Sequence, residues 1–357
     1  MTQKRIRDYG YTVGTLPTGA LNKITDVPGV LVGHDTIKTD RHKTGVTIIM
    51  PCEENPFVRK LVAAGFVHNG FGKTTGLPQI EELGTLETPI ALTNTLNVGL
   101  VHDALVDYCV CRCEKEGVSL RSVNPVVGEC NDSSLNEIVE RIVTSEHVES
   151  AFAALTRDFE EGDVGAGTGT TCYGLKGGIG SASREIEIDG HTYTIGVLVQ
   201  SNYGSTRDFL LDGRPMGLEI LKKLEDTEKY PSFAEAIVDQ GSIIMVVATD
   251  LPVNERQLKR IIRRCGVGLA RIGSFTGHGS GEIMIGFTTA NAIPVNNPEG
   301  TSANSLLSQT ILREDLLDTA FHAVAESTEE AVLNSMVCAN TAIALDGRVY
   351  YSLREFL

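Results

Sequence analysis

The stretch GSIIMVVATDLPV, residues 241–253, is the strongest single indication of how this chain folds. Its residues 242–249 form an almost unbroken aliphatic run rich in β-branched side chains, which is typical of a strand buried within a sheet. The polar stretch before it, ending at Asp239 and Gln240, is predicted to be helical. Runs of the same aliphatic kind predict further strands at 46–50, 193–200 and 283–288.

Two Asp-Gly pairs predict tight turns between neighbouring strands. Asp189-Gly190 lies within EIEIDGHTYTIGVLV, and Asp346-Gly347 lies within TAIALDGRVYYSL. Because both residue types tolerate positive φ angles, each pair suits a two-residue β-hairpin turn. The two hairpins predict antiparallel sheet.

Helices are predicted from capping signals and helical spacing. Asn254 with Gln257, and Ser327 with Glu330, have the spacing of a capping box, in which two side chains satisfy the first backbone N–H groups of a helix. Further helices are predicted over 98–116 and 313–326. Since strands and helices interleave while hairpin signals outnumber βαβ signals, the fold class is predicted to be α+β and layered.

The composition is that of a globular protein. Of its 357 residues, 41% are hydrophobic and 22% are charged, and no low-complexity segment divides them, so residues 1–357 are expected to form a single domain. A net charge of -15 argues against binding to nucleic acid or to anionic membranes, since both require clustered positive charge. The basic run from Arg256 to Arg264 alternates with apolar residues at helical spacing and is interpreted as a solvated helix face.

Several features favour a cytoplasmic location. The N-terminal residues carry basic side chains but no apolar run behind them, unlike a secretory signal. No stretch approaches the length of a membrane span. The eight cysteines are scattered and include no CxxC pair, which is typical of reduced thiols.

Some motifs resemble cofactor or metal sites but lack a required part. GFGKTTG at 70–76 has Val67 where a phosphate-binding loop needs its first glycine, and GAGTGTTCYG at 165–174 has Thr170 at the third glycine position of a dinucleotide turn. The latter is interpreted as a glycine-rich loop near an active site. Cys109, Cys111 and Cys113 alternate along a predicted helix and so cannot close one tetrahedral site. No metal and no cofactor are predicted.

An enzyme with an N-terminal nucleophile needs a serine, threonine or cysteine that becomes the first residue of a chain. The expected residue before it is glycine. If the chain is cut between the two, the new free amine can act as the base that activates the adjacent side chain. An α-amine has a pKa of about 7.7 to 8, so much of it is neutral near physiological pH. Glycine before the cut permits the close approach that self-cleavage needs. Gly-Ser pairs recur along the chain, including Gly180-Ser181, Gly241-Ser242, Gly273-Ser274 and Gly279-Ser280.

Context favours Ser242 among these serines. It opens the apolar strand of residues 242–249, which would hold a new N-terminus rigidly in a sheet. Ser280 also precedes a strand, but Gly281 and Glu282 intervene. On the residues alone, a Gly-Ser pair that merely begins a strand remains the simpler interpretation of either site.

The chain resembles the L-aminopeptidase/D-esterase and β-peptidyl aminopeptidase family of self-processing serine peptidases. The resemblance covers almost the whole chain. Its ordered segments are GTLPTGALNKITDVPGVLVGH at 14–34, TGLPQIEELGTLETPIALTNT at 75–95, NPVVGEC at 124–130, GTGTTCYGLKGGIGSASR at 167–184, YTIGVLVQSNYG at 193–204, GSIIMVVATDLPV at 241–253, QLKRIIRRCGVGLARIGS at 257–274 and SGEIMIGFTTAN at 280–291.

The resemblance implies a processing site and a catalytic group. Gly241-Ser242 would be cut to give an α chain of residues 1–241 and a β chain of residues 242–357, with Ser242 as the nucleophile. Ser280 would lie near the nucleophile, and Glu282 would orient it or relay protons. Asn202 would donate its amide to the oxyanion of the tetrahedral intermediate.

The resemblance also implies how substrates bind. The carboxylate of Glu129 would bind the free α- or β-amino group of a short peptide, amide or ester, which makes the enzyme an aminopeptidase. A tyrosine two positions beyond this glutamate assists the oxyanion in some members, whereas this chain has Asn131 there. That difference leaves the second oxyanion donor and the residue preference open.

The family fold is a four-layer α/β/β/α sandwich, similar to N-terminal nucleophile hydrolases but differently connected, and members commonly form homotetramers. Two other functions stay open. One is an acyl transferase like ornithine acetyltransferase, which uses threonine where this chain has Ser242. The other is an unprocessed, non-catalytic relative that acts as a binding or assembly protein.

Overall fold

The computed structural model describes residues 3–225, 241–294 and 306–357, so Asp239 and Gln240 lie outside the described residues. The helices are α1 Leu77–Leu83, α2 Val98–Lys115, α3 Ser145–Ala153, α4 Met216–Glu225, α5 Glu255–Ile262, α6 Cys265–Arg271 and α7 Leu317–Val337. The strands are β1 Leu31–Lys38, β2 Lys43–Met50, β3 Arg59–Gly70, β4 Thr85–Leu86, β5 Ile90–Asn94, β6 Val126–Cys130, β7 Thr171–Cys172, β8 Leu175–Lys176, β9 Gly178–Ile188, β10 His191–Asn202, β11 Ser242–Thr249, β12 Gly281–Pro294, β13 Ala342–Ile343 and β14 Val349–Tyr350. Each aliphatic run predicted as a strand lies within one of these strands.

Two mixed sheets form the centre of the fold. One has six strands in the order β4-β3-β12-β11-β10-β9, and the other has four in the order β1-β2-β5-β6. The pairs β11–β12 and β5–β6 are parallel, whereas the hairpin β9–β10 and the pair β10–β11 are antiparallel. Of the two antiparallel pairs that the hairpin signals predicted, β9–β10 lies in the six-stranded sheet and β13–β14 forms a separate two-stranded sheet.

The aliphatic run at 242–249 becomes β11, a strand covered on both faces. Ile243, Met245 and Val247 belong to the apolar cluster under the helices, while Ile244 and Val246 belong to the cluster between the two sheets. Side chains alternate between the faces of a strand, so a strand buried on both faces must be apolar throughout. Each such side chain contributes about 1.5–3 kcal/mol by leaving water.

Helices cover the outer face of each sheet. Val101 and Leu105 of α2 pack on the four-stranded sheet through Val46 and Ile48 of β2. The six-stranded sheet is covered by α5, α6 and α7, whose apolar side chains share one cluster with β10 and β11. The order helix, sheet, sheet, helix is the four-layer α/β/β/α sandwich that the family resemblance implied.

One predicted hairpin turn is confirmed and the other is wrong in length. Asp189 and Gly190 both have positive φ, 52° and 77°, and Ile188 pairs directly with His191, as a two-residue turn requires. Around Asp346, the N–H of Ala344 donates to the carbonyl of Arg348, which leaves a three-residue loop. Gly347, with φ of 84°, supplies the extra left-handed residue that lengthens this loop.

One predicted helix start is confirmed and one is wrong. Asn254 caps α5, and its side chain accepts from the N–H of Gln257 at 2.9 Å. Ser327 begins no helix; it is buried in the middle of α7, whose bounds also replace the predicted helix at 313–326. α7 runs through this position without a break, and Glu330 pairs with Arg184 at 2.6 Å instead of taking part in a cap.

A buried ion cluster ties α7 to the sheet. Arg184 of β9 contacts Glu326 at 3.0 Å and Glu330 at 2.6 Å, and the side chains of all three are almost completely buried. Arg7 also contacts Glu330, at 2.6 Å. Burial opposes ionisation of Glu330, but the hydrogen bond from Arg7 and the charge of Arg184 hold its pKa below the usual value. A lowered carboxyl pKa stabilises the fold above the ordinary pKa, and this contribution is lost as the pH falls through the lowered value.

We expect Arg184→Met to lower the free energy of unfolding by about 3–5 kcal/mol, because it removes the buried cation of Glu326 and one of the two cations that pair with Glu330. Urea unfolding at pH 7 measures the change. The control is Arg313→Met, which removes an exposed pair with Asp315 and should change little. Equal stabilities of the two variants would contradict a structural role for the buried cluster.

Candidate active site

The ends of three adjacent strands bring the predicted site residues together. Ser242, the first residue of β11, pairs with Asn202 at the end of β10 and with Gly281 at the start of β12. Ser280 and Glu282 flank Gly281 along the chain. Residues from three distant parts of the sequence thus share one edge of the six-stranded sheet.

The hydroxyl of Ser242 lies close to the peptide bond between Gly241 and Ser242, which is the predicted processing site. Its Oγ donates to the carbonyl oxygen of Gly241 at 2.7 Å, and 8% of the residue is exposed. A Cβ on Gly241 would lie 2.1 Å from the carbonyl oxygen of Asn202. Glycine is therefore required at position 241, where the chain passes close to the end of β10.

Ser280 and Glu282 form a hydrogen-bonded pair. The hydroxyl of Ser280 donates to Oε1 of Glu282, and both side chains are fully buried. Gly281 between them faces Ser242, since a Cβ on Gly281 would lie 3.1 Å from Ser242 Oγ. The register of β11 and β12 therefore sets the pair beside Ser242, although neither member lines the adjoining cavity.

Asn202 is oriented by a backbone donor. The N–H of Thr171, in the glycine-rich loop at 165–174, donates to Asn202 Oδ1 at 3.0 Å. With the oxygen engaged, the NH₂ group is the part of the carboxamide that can donate into the cavity. The loop that was predicted to lie near an active site thus lies beside this candidate site.

Glu129 lies at the end of β6 and is only 2% exposed. Its carboxylate accepts from the N–H of Lys73 at 2.8 Å and from the hydroxyl of Thr95. Thr95 follows β5, which runs parallel to β6, so the two strands end at the same edge. The carboxylate is thus held by two donors, and its remaining lone pairs can accept from a bound cation.

Asn131, two residues beyond Glu129, is exposed at the cavity rim. Its Oδ1 accepts from the N–H of Ser133 at 3.0 Å, the hydrogen bond of a local turn. The amide oxygen therefore serves the loop, and the NH₂ group is left to face solvent or a ligand.

Glu129, Asn131, Asn202 and Ser242 line one cavity of about 540 Å³, which is the size of a site for a small molecule. Sequence reasoning identified Glu129, Asn131, Asn202, Gly241 and Ser242 of this lining and named none of its other members as site residues. The cavity is lined by Phe71, Lys73, Thr95, Glu129, Asn131, Ser133, Ser134, Thr171, Asn202, Gly241, Ser242, His278 and Gly279. A usable signal was GFGKTTG, which fails as a phosphate loop but supplies Phe71 and Lys73.

A thiol close to Ser242 is chemically silent. Cys130 Sγ lies 3.4 Å from the carbonyl oxygens of both Gln200 and Ser242. Burial raises the pKa of this thiol well above its ordinary value, so it stays protonated at neutral pH. Of the two nucleophilic side chains here, Ser242 is the one that reaches the cavity.

Neither a metal site nor a membrane-spanning helix is found among the described residues. Within residues 3–225, 241–294 and 306–357, no group of three or more His, Cys, Asp or Glu side chains could hold a metal ion. In the same ranges, no helix is both long and apolar enough to span a bilayer. Cys109 and Cys113 are buried while Cys111 is exposed, as expected for residues on different sides of α2.

We expect Gly281→Ala to lower the free energy of unfolding by about 1–3 kcal/mol, because its methyl group would lie 2.5 Å from the carbonyl oxygen of Phe71. Gly99→Ala is the control: Gly99 lies in α2 with open space around it, and alanine there favours the helix. Urea unfolding measures both variants. A Gly281→Ala protein as stable as wild type would contradict the close approach of Gly281 to the backbone of Phe71, just after β3.

Three known proteins are similar to this chain over nearly its full length. β-Peptidyl aminopeptidase BapA of Sphingosinicella xenopeptidilytica is 36% identical, over 98% of this chain and 88% of its own. A Pyrococcus horikoshii protein of known structure is 43% identical, with a TM-score of 0.88, over 98% of this chain and 96% of its own. The L-aminopeptidase D-Ala-esterase/amidase of Ochrobactrum anthropi is 34% identical, with a TM-score of 0.87, over 98% of this chain and 95% of its own.

The last of these structures is described as a prototype for the serine aminopeptidases and as a new variant of the Ntn-hydrolase fold. Its close superposition on this chain confirms the predicted α+β fold class. A family model, peptidase family S58, matches residues 22–350, which include every residue predicted for the site. The chain belongs to peptidase family S58.

Proposed function

We propose that Ser242 becomes the N-terminal nucleophile of this serine aminopeptidase after the chain cuts itself between Gly241 and Ser242. The observation that carries the proposal is the position of Ser242 Oγ, 2.7 Å from the carbonyl oxygen of the peptide bond to be cut and at the wall of the cavity. The products would be an α chain of residues 1–241 and a β chain of residues 242–357.

Self-cleavage would begin from the hydroxyl of Ser242. Ser242 Oγ attacks the carbonyl carbon of Gly241, and the C–N bond breaks as the nitrogen of Ser242 takes up the proton that Oγ loses. The resulting ester between Gly241 and the Ser242 side chain is then hydrolysed by water. This releases the carboxylate of Gly241 and the free amine of Ser242, which is the base needed for the next reaction.

The same hydroxyl then acts on substrate. The amine of Ser242 takes the proton of Oγ as it attacks the substrate carbonyl carbon, and the NH₂ group of Asn202 donates to the oxyanion. The leaving amine or alcohol takes the proton, and water hydrolyses the acyl-Ser242 intermediate. The Ser280–Glu282 pair, set beside Ser242, would hold the amine in place and relay its proton.

Substrate selection is assigned to the buried carboxylate of Glu129. It lines the same cavity as Ser242 and has its orientation fixed by Lys73 and Thr95. An ammonium group bound there would make a charge-assisted hydrogen bond in a shielded place. Short peptides, amides or esters with a free amino group are therefore the proposed substrates, with Asn131 at the rim where some family members have tyrosine.

The family resemblance supports three further parts of the proposal: activity on D-residue esters, assembly as a homotetramer and a cytoplasmic location. The free state of all eight cysteines agrees with a reducing compartment. An acyl transferase resembling ornithine acetyltransferase is less well supported, because residue 242 is serine rather than threonine.

Ser242→Ala is expected to remain one full-length chain, because it has no hydroxyl to attack Gly241. Wild type should give two fragments, one of which begins at Ser242. Intact mass and N-terminal sequencing decide the matter. The control is Ser274→Ala at another Gly-Ser pair, which should process like wild type. A wild-type chain that stays intact under all conditions would overturn the proposal and favour the non-catalytic binding protein.

Glu129→Gln keeps the shape of the side chain but removes its charge. We expect kcat/KM for a peptide with a free amino group to fall about 10- to 150-fold, the equivalent of a charged hydrogen bond worth about 1.5–3 kcal/mol. Steady-state kinetics of the processed enzyme provide the measurement, with Glu82→Gln on the exposed side of α1 as control. If the variant keeps wild-type kcat/KM, Glu129 does not bind the amino group.

A further inference from the structure

The glycine-rich loop touches the candidate site through Thr171 and is threaded between the two sheets. Gly165 has a positive φ of 49°, and a Cβ on Gly169 would lie 2.0 Å from the carbonyl oxygen of Lys43. Such a tightly confined loop turns several carbonyl groups inward, and each buried carbonyl requires a hydrogen-bond donor.

Lys176 supplies these donors from inside the fold. The residue is fully buried, and its Nζ lies 2.7 Å from the carbonyl oxygen of Thr170, 2.8 Å from that of Gly177 and 3.1 Å from that of Gly167. An ammonium group has three N–H donors, and here each has a carbonyl acceptor. The side chain thus takes the place that a bound cation could occupy within the loop.

The loop connects this ammonium group to Asn202 in two steps. Thr170 accepts from Lys176, and the next residue, Thr171, pairs with Lys176 in the short ladder β7–β8. The N–H of Thr171 then donates to Asn202 Oδ1 at 3.0 Å. The carboxamide of Asn202 is therefore oriented by a backbone group whose own position depends on Lys176.

We infer that Lys176 is a positioning residue for the reaction, holding the Thr171 N–H where it directs the NH₂ group of Asn202 into the cavity. The inference rests on the proposed function, in which Asn202 donates to the oxyanion. It requires no contact between Lys176 and substrate, because the ammonium group is enclosed by the loop.

Neighbouring carboxylates favour the charged form of Lys176, whereas its burial opposes it. Burial lowers the pKa of Lys176 and the charge of Lys38 adds to that shift, while Asp163, Asp132 and Cys172 oppose it, and together they set this pKa at about 7. Lys38 itself contacts Asp163 and is half exposed. It is thus a matched control, a lysine of the same charge cluster that does not touch the loop carbonyls.

The test is a double-mutant cycle with Lys176→Met, Asn202→Ala and the double variant, which isolates the coupling between two residues. Rates are normalised to the fraction of the chain that has a free Ser242 N-terminus. Where a variant cuts itself too slowly to yield processed enzyme, its rate of self-cleavage is compared with that of wild type in place of kcat. Asn202→Ala should lower kcat about 100- to 1,000-fold, the usual effect of losing one oxyanion donor. Lys176→Met should lower kcat at least tenfold with KM within twofold, and the double variant should lie within threefold of Asn202→Ala.

The outcomes separate two kinds of failure. Near wild-type kcat for Asn202→Ala would refute the proposed role of Asn202 itself. If Asn202→Ala has a large effect on kcat and Lys176→Met has none, the role of Lys176 alone is refuted. The same holds if the losses of kcat in the two single variants multiply in the double variant. Lys38→Met should keep kcat within twofold of wild type; a loss matching that of Lys176→Met would also refute it, because general charge removal would then explain the effect.

Folding is checked by thermal unfolding of every variant. If Lys176→Met does not fold, Lys176→Gln replaces it, since glutamine retains two N–H donors and should give a smaller loss of kcat with the same coupling to Asn202. If neither variant folds, Lys176 serves stability in general and the inference is overturned.

Discussion

The register of β11 between β10 and β12 is the constraint on which the candidate site depends. It places Ser242 opposite Asn202 on one side and Gly281 on the other. Because side chains alternate along a strand, a slip of one residue would turn Ser242 away from the cavity and reverse the two apolar faces. Close packing on both faces opposes such a slip, since Ile243 and Ile244 lie in different apolar clusters and each would have to fit the other's surroundings.

Backbone groups orient much of the site. The N–H of Lys73 holds the carboxylate of Glu129, and the N–H of Thr171 holds the carboxamide of Asn202. Backbone donors are held by the surrounding chain rather than by a rotamer, so they fix a functional side chain at little cost in conformational entropy. The loops that provide them are in turn confined by close contacts, as at Gly169 against Lys43.

Local patterns predicted the elements well where local forces decide them. The turn at Asp189-Gly190 and the cap at Asn254 depend on residues a few positions apart, and both have the predicted form. Ser327 had an equally good capping signal, yet it lies inside α7. There the long-range pairing of Glu330 with Arg184 and burial of the helix outweigh a local cap.

The sequence by itself determined that this is an α+β chain with a doubly buried strand at 242–249, and its resemblance to a family singled out Ser242, Asn202 and Glu129. Local context favoured Ser242 over Ser280 only in that Ser242 opens its apolar run directly, whereas Gly281 and Glu282 follow Ser280 before the run begins. Only the tertiary structure decided that Ser242 reaches the cavity while Ser280 is buried against Glu282. It also revealed Thr95, Lys73 and Lys176 as supports of the site. Such contacts depend on strand register and loop packing between residues far apart in the chain, which no short stretch of sequence encodes.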